Sequence, residues 1–144
     1  METQPNTENK KIKLDFKESK YATGRRKKSI AKVWLKKGTG NIHVNGKKMS
    51  EYFIKQNLQT SIFRPLTISK RENEYDVRCS VKGGGLTGQA GAIVHGLSRA
   101  LILYEPDLKP TLKKENLTTR DSRAVERKKY GRRKARRSFQ FSKR

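Results

Sequence analysis

The sequence contains a single cysteine, Cys79. One thiol per chain excludes an intrachain disulfide and a zinc site built from several thiolates. The sequence also has no apolar run long enough to span a membrane, and only 32% of its 144 residues are hydrophobic. The first twenty residues contain no Arg and no apolar run, so they resemble neither a secretory signal nor an Arg-rich transit peptide. These absences predict a small protein that works in the compartment where it is made.

Acidic residues are scarce as well: 13 Asp and Glu stand against 36 Lys and Arg, which gives a formal net charge of +23. A charge of this size exceeds what solubility requires and predicts a polyanion, above all nucleic acid, as the partner. An anionic membrane surface is the weaker alternative, because the sequence has neither a lipidation signal nor a basic helix with a strong apolar face. The excess of positive charge lies mainly at the two ends of the chain. Residues 41–119 hold 12 basic and 7 acidic side chains, whereas the much shorter segment 120–144 holds 12 basic and 2 acidic side chains.

The hydrophobic pattern predicts an α+β fold, a two-layer sandwich in which a four-stranded sheet carries its helices on one face. Alternating apolar residues predict one strand at 29–35 and a second within NIHVNGK, residues 41–47, where Ile42 and Val44 alternate; the two are joined as a hairpin around Gly38 and Gly40. The segment LTIS, residues 66–69, is predicted to be the third strand. Residues 75–82 form the fourth and show the strongest alternation, with one apolar and one polar face.

Helical periodicity accounts for much of the remaining body. A short helix is predicted to begin at Ser50 as its N-cap and to end at Pro65. A long helix is predicted from Thr87 until Pro106 stops it, and a further helical turn from Asp107. The pattern thus predicts a polar N-terminal extension at 1–20, a globular domain at 21–119 and an extended basic tail at 120–144.

A glycine-rich segment, GGGLTGQA at residues 83–90, lies between the fourth strand and the long helix, where phosphate-binding loops occur. A nucleotide-binding P-loop needs Lys and then Ser or Thr after its last glycine, but this chain has Gln89 and Ala90. NTP hydrolysis is therefore not expected. Two readings stay open: the loop amides and the helix start bind a phosphate of RNA, or the glycines only permit a tight turn and close packing.

The remaining chemically interesting side chains do not form a catalytic or metal-binding pattern. His43 and His95 have no carboxylate, Ser or Cys at a spacing typical of a triad or a metal cluster, so we expect structural or RNA-facing roles. Cys79 falls on the apolar side of its strand and is expected to be a buried small hydrophobe. Trp34 falls on the side opposite Val33 and Leu35 and is either a packing residue or a stacking surface, with packing favoured.

The C-terminal tail is the strongest indication of function. It has too little apolar surface to fold alone and almost no carboxylates to balance its charge. Twenty-five extended residues reach roughly 80 Å, at about 3.3 Å each, whereas a body of about one hundred residues has a radius of gyration near ~13 Å. The tail is therefore predicted to leave its own domain and enter folded nucleic acid, where counterion release offsets its ordering. Phe139 and Phe141 are expected to stack on bases or to pack against other proteins.

Three segments together carry a resemblance to a known family. YATGRRKKSIAKVWLKKGTG at 21–40, VKGGGLTGQAGAIVHGLSRAL at 81–101 and TRDSRAVERKKYGRRKARRSFQFSKR at 119–144 resemble small-subunit ribosomal protein nine of the bacterial and organellar type. The resemblance implies an α+β domain in the head of the small ribosomal subunit, bound to ribosomal RNA beside other head proteins. It also implies a tail whose tip approaches the tRNA in the P site. The implied location is the bacterial cytoplasm or, for an organelle-encoded chain, the mitochondrial matrix.

The resemblance also assigns roles to residues. The ending Ser142, Lys143 and Arg144 matches the family's SKR ending and would face tRNA, with Arg144 as the main phosphate partner. The residues expected to bind ribosomal RNA are basic or lie in the glycine-rich loop: Arg25, Arg26, Lys27, Lys28, Gly83, Gly84, Gly85, Thr87, Gly88, Gln89, Arg99, Arg127, Lys128, Lys129, Arg132, Arg133, Lys134, Arg136 and Arg137. No cofactor, metal, membrane or enzymatic activity is expected.

Two other classes of function make different predictions. A general nucleic-acid compactor would act by charge alone and would tolerate a scrambled tail of the same composition, which a threaded arm would not. A phosphate-loop enzyme would show nucleotide turnover, which the missing Lys argues against.

Overall fold

The computed structural model describes residues 16–142, which form a mixed α+β fold with one five-stranded sheet. The strands are β1 (Lys20–Arg26), β2 (Ser29–Lys37), β3 (Ile42–Val44), β4 (Lys47–Lys48) and β5 (Tyr75–Lys82). The helices are α1 (Met49–Tyr52), α2 (Gln56–Ser69), α3 (Leu86–Tyr104) and α4 (Lys109–Lys114), with a 3-10 turn at Pro106–Leu108. The strand order is β1-β2-β5-β3-β4, so the predicted count of four strands is wrong.

The order of the strands also corrects the predicted hairpin. β2 pairs antiparallel with β1 and β5, and β3 pairs parallel with the far side of β5. The connection between β2 and β3 crosses the start of β5, where the Asp76 carboxylate accepts hydrogen bonds from the backbone N–H groups of Thr39 and Asn41, both at 2.9 Å. Burial alone would raise the pKa of Asp76, but these amides outweigh it and the pKa lies below its usual value. This loop takes the chain across the start of β5 to its other side, so β3 pairs with β5 and not with β2.

The segment predicted as a third strand is helical. Residues 66–69 are the last turn of α2, in which Leu66 and Ser69 face the core. Pro65 lies inside this helix and does not end it. The missing N–H of Pro65 would have bonded to the carbonyl of Ser61, which lies on the exposed side of the helix. The helix ends instead at Lys70, which adopts a left-handed conformation and donates its N–H to Leu66 and Thr67.

The core lies between one face of the sheet and the helices. Ala31, Val33 and Leu35 of β2 and Val77, Cys79 and Val81 of β5 point to this face and are all buried. α3 lies over β1 and β2 and packs its buried side against them, while α2 packs on α3. Cys79 is buried, which confirms its expected place on the apolar side of its strand, and this burial raises the pKa of its thiol to about 12.

The long helix and the last helical turn agree with the sequence pattern. α3 starts one residue before Thr87 and ends just before Pro106, and Leu112 of α4 is buried. Within residues 16–142, no helix is long and apolar enough to cross a membrane. After the buried Leu117, residues 118–142 contain no helix or strand and most of their side chains are exposed.

Candidate nucleic-acid interface

The β1–β2 turn and the glycine-rich loop meet at one end of the sheet. Lys27 and Lys28 form the turn and are exposed, with Lys27 in a left-handed conformation at φ 51°. The pairing of Ile30 with Lys82 brings the end of β5, and the loop that follows it, beside this turn. We call the surface formed by Lys27, Lys28 and residues 82–87 the sheet-end surface.

The glycines of this surface have packing reasons of their own. Gly83 and Gly84 have positive φ values of 77° and 63°, which other residues rarely adopt. A Cβ on Gly84 would lie 2.2 Å from the Ser29 hydroxyl oxygen, which itself donates to the carbonyl of Gly83 at 2.9 Å. By contrast, nothing lies within 4 Å of a Cβ built on Gly85. Gly83 and Gly84 therefore permit a tight turn, as the packing reading expects, whereas the space beside Gly85 is open and phosphate binding there stays a prediction.

The open space lies at the start of α3. Gly85 is the N-cap, no side chain caps the helix, and no acidic residue occupies its first turn. The first amides of this 19-residue helix therefore face outward beside Lys27 and Lys28, with the positive end of the helix dipole. Gln89 holds the loop in place, since its side-chain N–H donates to the carbonyl of Gly83 at 3.2 Å. Gly88 is buried against Ser29, whereas Thr87 is exposed. This arrangement can bind an anion such as a phosphate.

Arg25 and Arg99 tie β1 to α3. The backbone N–H of Arg25 donates to Nδ1 of His95 at 3.2 Å, and the Arg99 guanidinium donates to the carbonyl of Thr23 at 2.7 Å. Burial, reinforced by the charge of Arg99, lowers the pKa of His95, which favours the neutral ring whose Nδ1 can accept this bond. His95 thus makes a structural contact, one of the two roles expected for it, and Arg99 has a structural contact besides any role toward RNA.

A groove of about 260 Å³ lies where the chain leaves α4, and its cations are largely balanced. Arg26 forms an ion pair with Asp121, and Arg64 forms one with Glu115 at 2.9 Å. Hydrogen bonds from Arg123, together with its charge and that of Arg26, hold the pKa of Asp121 far below its usual range. Arg26, predicted to bind RNA, therefore also anchors the start of the tail.

The tail presents most of its cations to solvent. Arg132, Arg133, Lys134, Arg136 and Arg137 are all exposed. Arg136 pairs with Glu126 at 3.0 Å, and Arg132 donates to the Ser138 hydroxyl. For Arg133, Lys134 and Arg137, no carboxylate within residues 16–142 forms an ion pair. These three charges are uncompensated, which favours a polyanionic partner.

Residues 126–137 form a local turn. Lys129 pairs with Glu126 at 2.7 Å, and Gly131 adopts a φ of 66°. The backbone N–H of Arg133 donates to the carbonyl of Arg137 at 2.8 Å. Arg127 and Lys128 are exposed beside this turn, as are Phe139 and Phe141 further on. Among the residues predicted to face tRNA, Ser142 is exposed, whereas Lys143 and Arg144 lie outside the described residues.

Sequence reasoning missed part of the basic surface. Arg25 and Arg26 belong to β1, although the sequence pattern placed them before the first strand. Tyr21 and Arg78 were not singled out, yet the strand pairing brings both beside Trp34. Trp34 itself is partly exposed rather than enclosed in a second core. Within the described chain, no group of three His, Cys, Asp or Glu side chains could hold a metal ion.

A comparison with known protein families finds a match over most of the chain. The family model described as "Ribosomal protein S9/S16" matches residues 24–144, which include the last three residues of β1, the glycine-rich loop and the whole tail.

Proposed function

Because the chain belongs to the Ribosomal protein S9/S16 family, a family of ribosomal proteins and not of enzymes, we propose that it binds ribosomal RNA in the head of the small subunit and reaches P-site tRNA with its tail. The family places the protein in the ribosome as a structural constituent of the small subunit. Three parts of the chain would contact RNA: the basic cluster Arg132–Arg137 of the tail, the sheet-end surface, and the last three residues of the tail.

The observation that carries the proposal is the uncompensated charge of the tail. Arg133, Lys134 and Arg137 are exposed and lack a carboxylate partner within residues 16–142, so they repel one another in solution. RNA phosphates remove this repulsion, and the release of their counterions adds a favourable term to binding. Arg guanidinium groups are also suited to bidentate contacts with phosphate oxygens.

The sheet-end surface supplies a second, fixed contact. The outward amides at the start of α3 and the side chains of Lys27 and Lys28 would hold one backbone phosphate. Such contacts carry no sequence information, but they set the orientation of the domain on the RNA. The domain would thus be positioned by its body, and the tail would then follow the RNA.

The tip of the tail would contact tRNA. Ser142, Lys143 and Arg144 are the last three residues of the sequence and provide two positive side chains and one hydroxyl. Arg144 would bind a phosphate of the P-site tRNA, Lys143 would add charge and Ser142 would donate a hydrogen bond. Neighbouring head proteins are proposed as further partners. The location would be the bacterial cytoplasm or, for an organelle-encoded chain, the mitochondrial matrix.

Deleting Ser142–Arg144 tests the tRNA contact. We expect subunit assembly to be largely unchanged and tRNA to dissociate from the P site about tenfold faster, as the loss of a charge-assisted hydrogen bond implies. The measurement is the dissociation rate of labelled tRNA from purified subunits that carry the variant. A control in which Lys143→Arg and Arg144→Lys are combined keeps both charges and one guanidinium, so it should dissociate tRNA more slowly than the deletion does. An unchanged rate after the deletion would count against the tRNA role.

A further inference from the structure

The sheet has a second face, which points away from the helices. Along β1, β2 and β5 the side chains alternate, and those on this face are exposed or partly exposed while their neighbours are buried. α3 covers the opposite face, where the core lies. The residues of this open face include Tyr21, Thr23, Arg25, Ile30, Lys32, Trp34, Lys36, His43, Arg78, Ser80 and Lys82.

One row of side chains crosses this face. The strand register places Tyr21 opposite Trp34, Trp34 opposite Arg78 and Arg78 opposite His43. The rings of Tyr21 and Trp34 lie 5.3 Å apart at 44°, and the Arg78 guanidinium lies over the Trp34 ring at 5.4 Å from its centre. Tyr21 is 45% exposed. The row therefore presents two adjacent aromatic rings in a fixed arrangement on an exposed face of the sheet.

Cations surround the aromatic pair. Lys32 and Lys36 stand two residues on either side of Trp34 along β2, which is about 7 Å in each direction. Arg25 and Lys82 lie further along the same face, on the two sides of Ile30. Asp76 is a carboxylate at the edge of this group, and it already accepts the backbone N–H groups of Thr39 and Asn41. The charge of the face is therefore strongly positive around its aromatic centre.

We infer that this open face is an RNA-binding surface separate from the tail and adjoining the sheet-end surface at Lys82, on which an unpaired base stacks against Trp34 and Tyr21. Lys32 and Lys36 would hold the phosphates on either side of that base. An aromatic platform flanked by cations is the arrangement that binds single-stranded nucleic acid, because every base has a face that can stack. A duplex would offer phosphates but no free base. The inference rests on the proposed function only in taking RNA as the partner.

The chain provides its own reporter for this site, because Trp34 is its only Trp. The probe is a hexaadenylate RNA strand, titrated into the full-length protein at about 0.1 M salt, with Trp fluorescence as the signal. Stacking on Trp34 should quench its fluorescence. A longer duplex RNA, compared at equal phosphate concentration, should bind without comparable quenching. This comparison needs no variant, so it does not depend on whether a substitution disturbs the fold.

Two variants then test whether Tyr21, Lys32 and Lys36 contribute to RNA binding. Tyr21→Ala should weaken hexaadenylate binding about tenfold, since loss of one stacking partner typically costs about that much. The combination of Lys32→Gln and Lys36→Gln should weaken binding and reduce its salt dependence by about 1.4 in log–log slope, at about 0.7 for each single-strand phosphate. The matched control is Ile54→Ala, an 87% exposed apolar side chain on the α1–α2 connection, which should change neither quantity.

Three other outcomes would each lead to a different conclusion. If the strand binds but Trp34 is not quenched and Tyr21→Ala binds as tightly as wild type, the open face is not the site, while RNA binding by the tail stands. If hexaglutamate quenches Trp34 as strongly as the RNA does, the face is a docking site for an acidic protein segment and the inference is overturned. If neither the strand nor the duplex binds, both this inference and the proposed RNA binding are contradicted.

Discussion

Replacing Gly24 by Ala is expected to lower the free energy of unfolding by about 3 kcal/mol, at the upper end of the usual cost of overpacking. Gly24 lies on β1 where α3 crosses it, and a Cβ built there would be 1.8 Å from the carbonyl oxygen of Ala92 and 2.3 Å from the backbone nitrogen of Gly96. Both are backbone atoms of a helix, so no flexible side chain can move aside. The strand and α3 would have to separate, which would open the core beneath them.

Urea unfolding of the two proteins measures this effect. The expected loss corresponds to a fall in the melting temperature of roughly 10–20 °C for a body of this size. Gly85→Ala is the matched control, because nothing lies within 4 Å of the added Cβ and its φ of −99° suits any residue. It should cost no more than about 1 kcal/mol, the usual difference among weak N-caps. Equal unfolding free energies for the two variants would show that the contact between β1 and α3 is looser than described.

Replacing the five tail cations Arg132, Arg133, Lys134, Arg136 and Arg137 by Gln is expected to reduce affinity for ribosomal RNA by several orders of magnitude at low salt. Each phosphate that loses its cation removes about 0.9 from the log–log dependence of affinity on salt for a duplex, or about 0.7 for a single strand. Five such losses lower the slope by roughly 3.5–4.5. The measurement is the affinity for an RNA fragment of the subunit head at several salt concentrations.

The control for this variant removes the same charge from the body. Lys55, Lys70, Lys109, Lys113 and Lys114 are also exposed, and they lie on or beside α2 and α4, away from the sheet-end surface. Their replacement by Gln changes the net charge equally but should change the slope by less than about 1 if they contact no phosphate. If both variants lose affinity to the same extent, binding depends on total charge alone and the tail has no special position on the RNA.

Part of the fold follows directly from the pattern of the sequence. Tyr75, Val77, Cys79 and Val81 alternate without interruption, so β5 could be predicted together with its buried face. α3 could be predicted as well, because its apolar residues recur at helical spacing over five turns. These elements owe their structure to local periodicity, which a sequence shows.

Other elements depend on packing that a sequence does not show. β1 turns only Ala22 and Gly24 toward the core, since α3 approaches too closely for larger side chains, and so it lacks the apolar alternation of a strand. The sequence pattern predicts a strand at the end of α2 because Pro65 ordinarily stops a helix. The carbonyl of Ser61, which would have accepted the missing N–H of Pro65, lies on the exposed side of the helix. Ile62, Pro65 and Leu66 are buried on the other side, so the helix continues through Pro65.

The candidate site likewise has features that the sequence shows and features that depend on the fold. The charge of the tail and the glycine-rich loop could be identified from composition and spacing. The aromatic row could not, because it depends on the register that brings Tyr21 and Arg78 to Trp34 from strands far apart in the sequence. The pairing of Arg26 with Asp121 likewise required the path of the chain after α4.

In the proposed function, RNA holds the basic tail in place. This claim is tested most directly by an experimental map of this chain within an intact small ribosomal subunit that holds tRNA in the P site. We expect Arg132–Arg137 to lie against phosphates of ribosomal RNA and at least one of Ser142, Lys143 and Arg144 to lie within hydrogen-bonding distance of the tRNA backbone. A tail that lies in solvent, or that packs only on neighbouring proteins, would contradict the account.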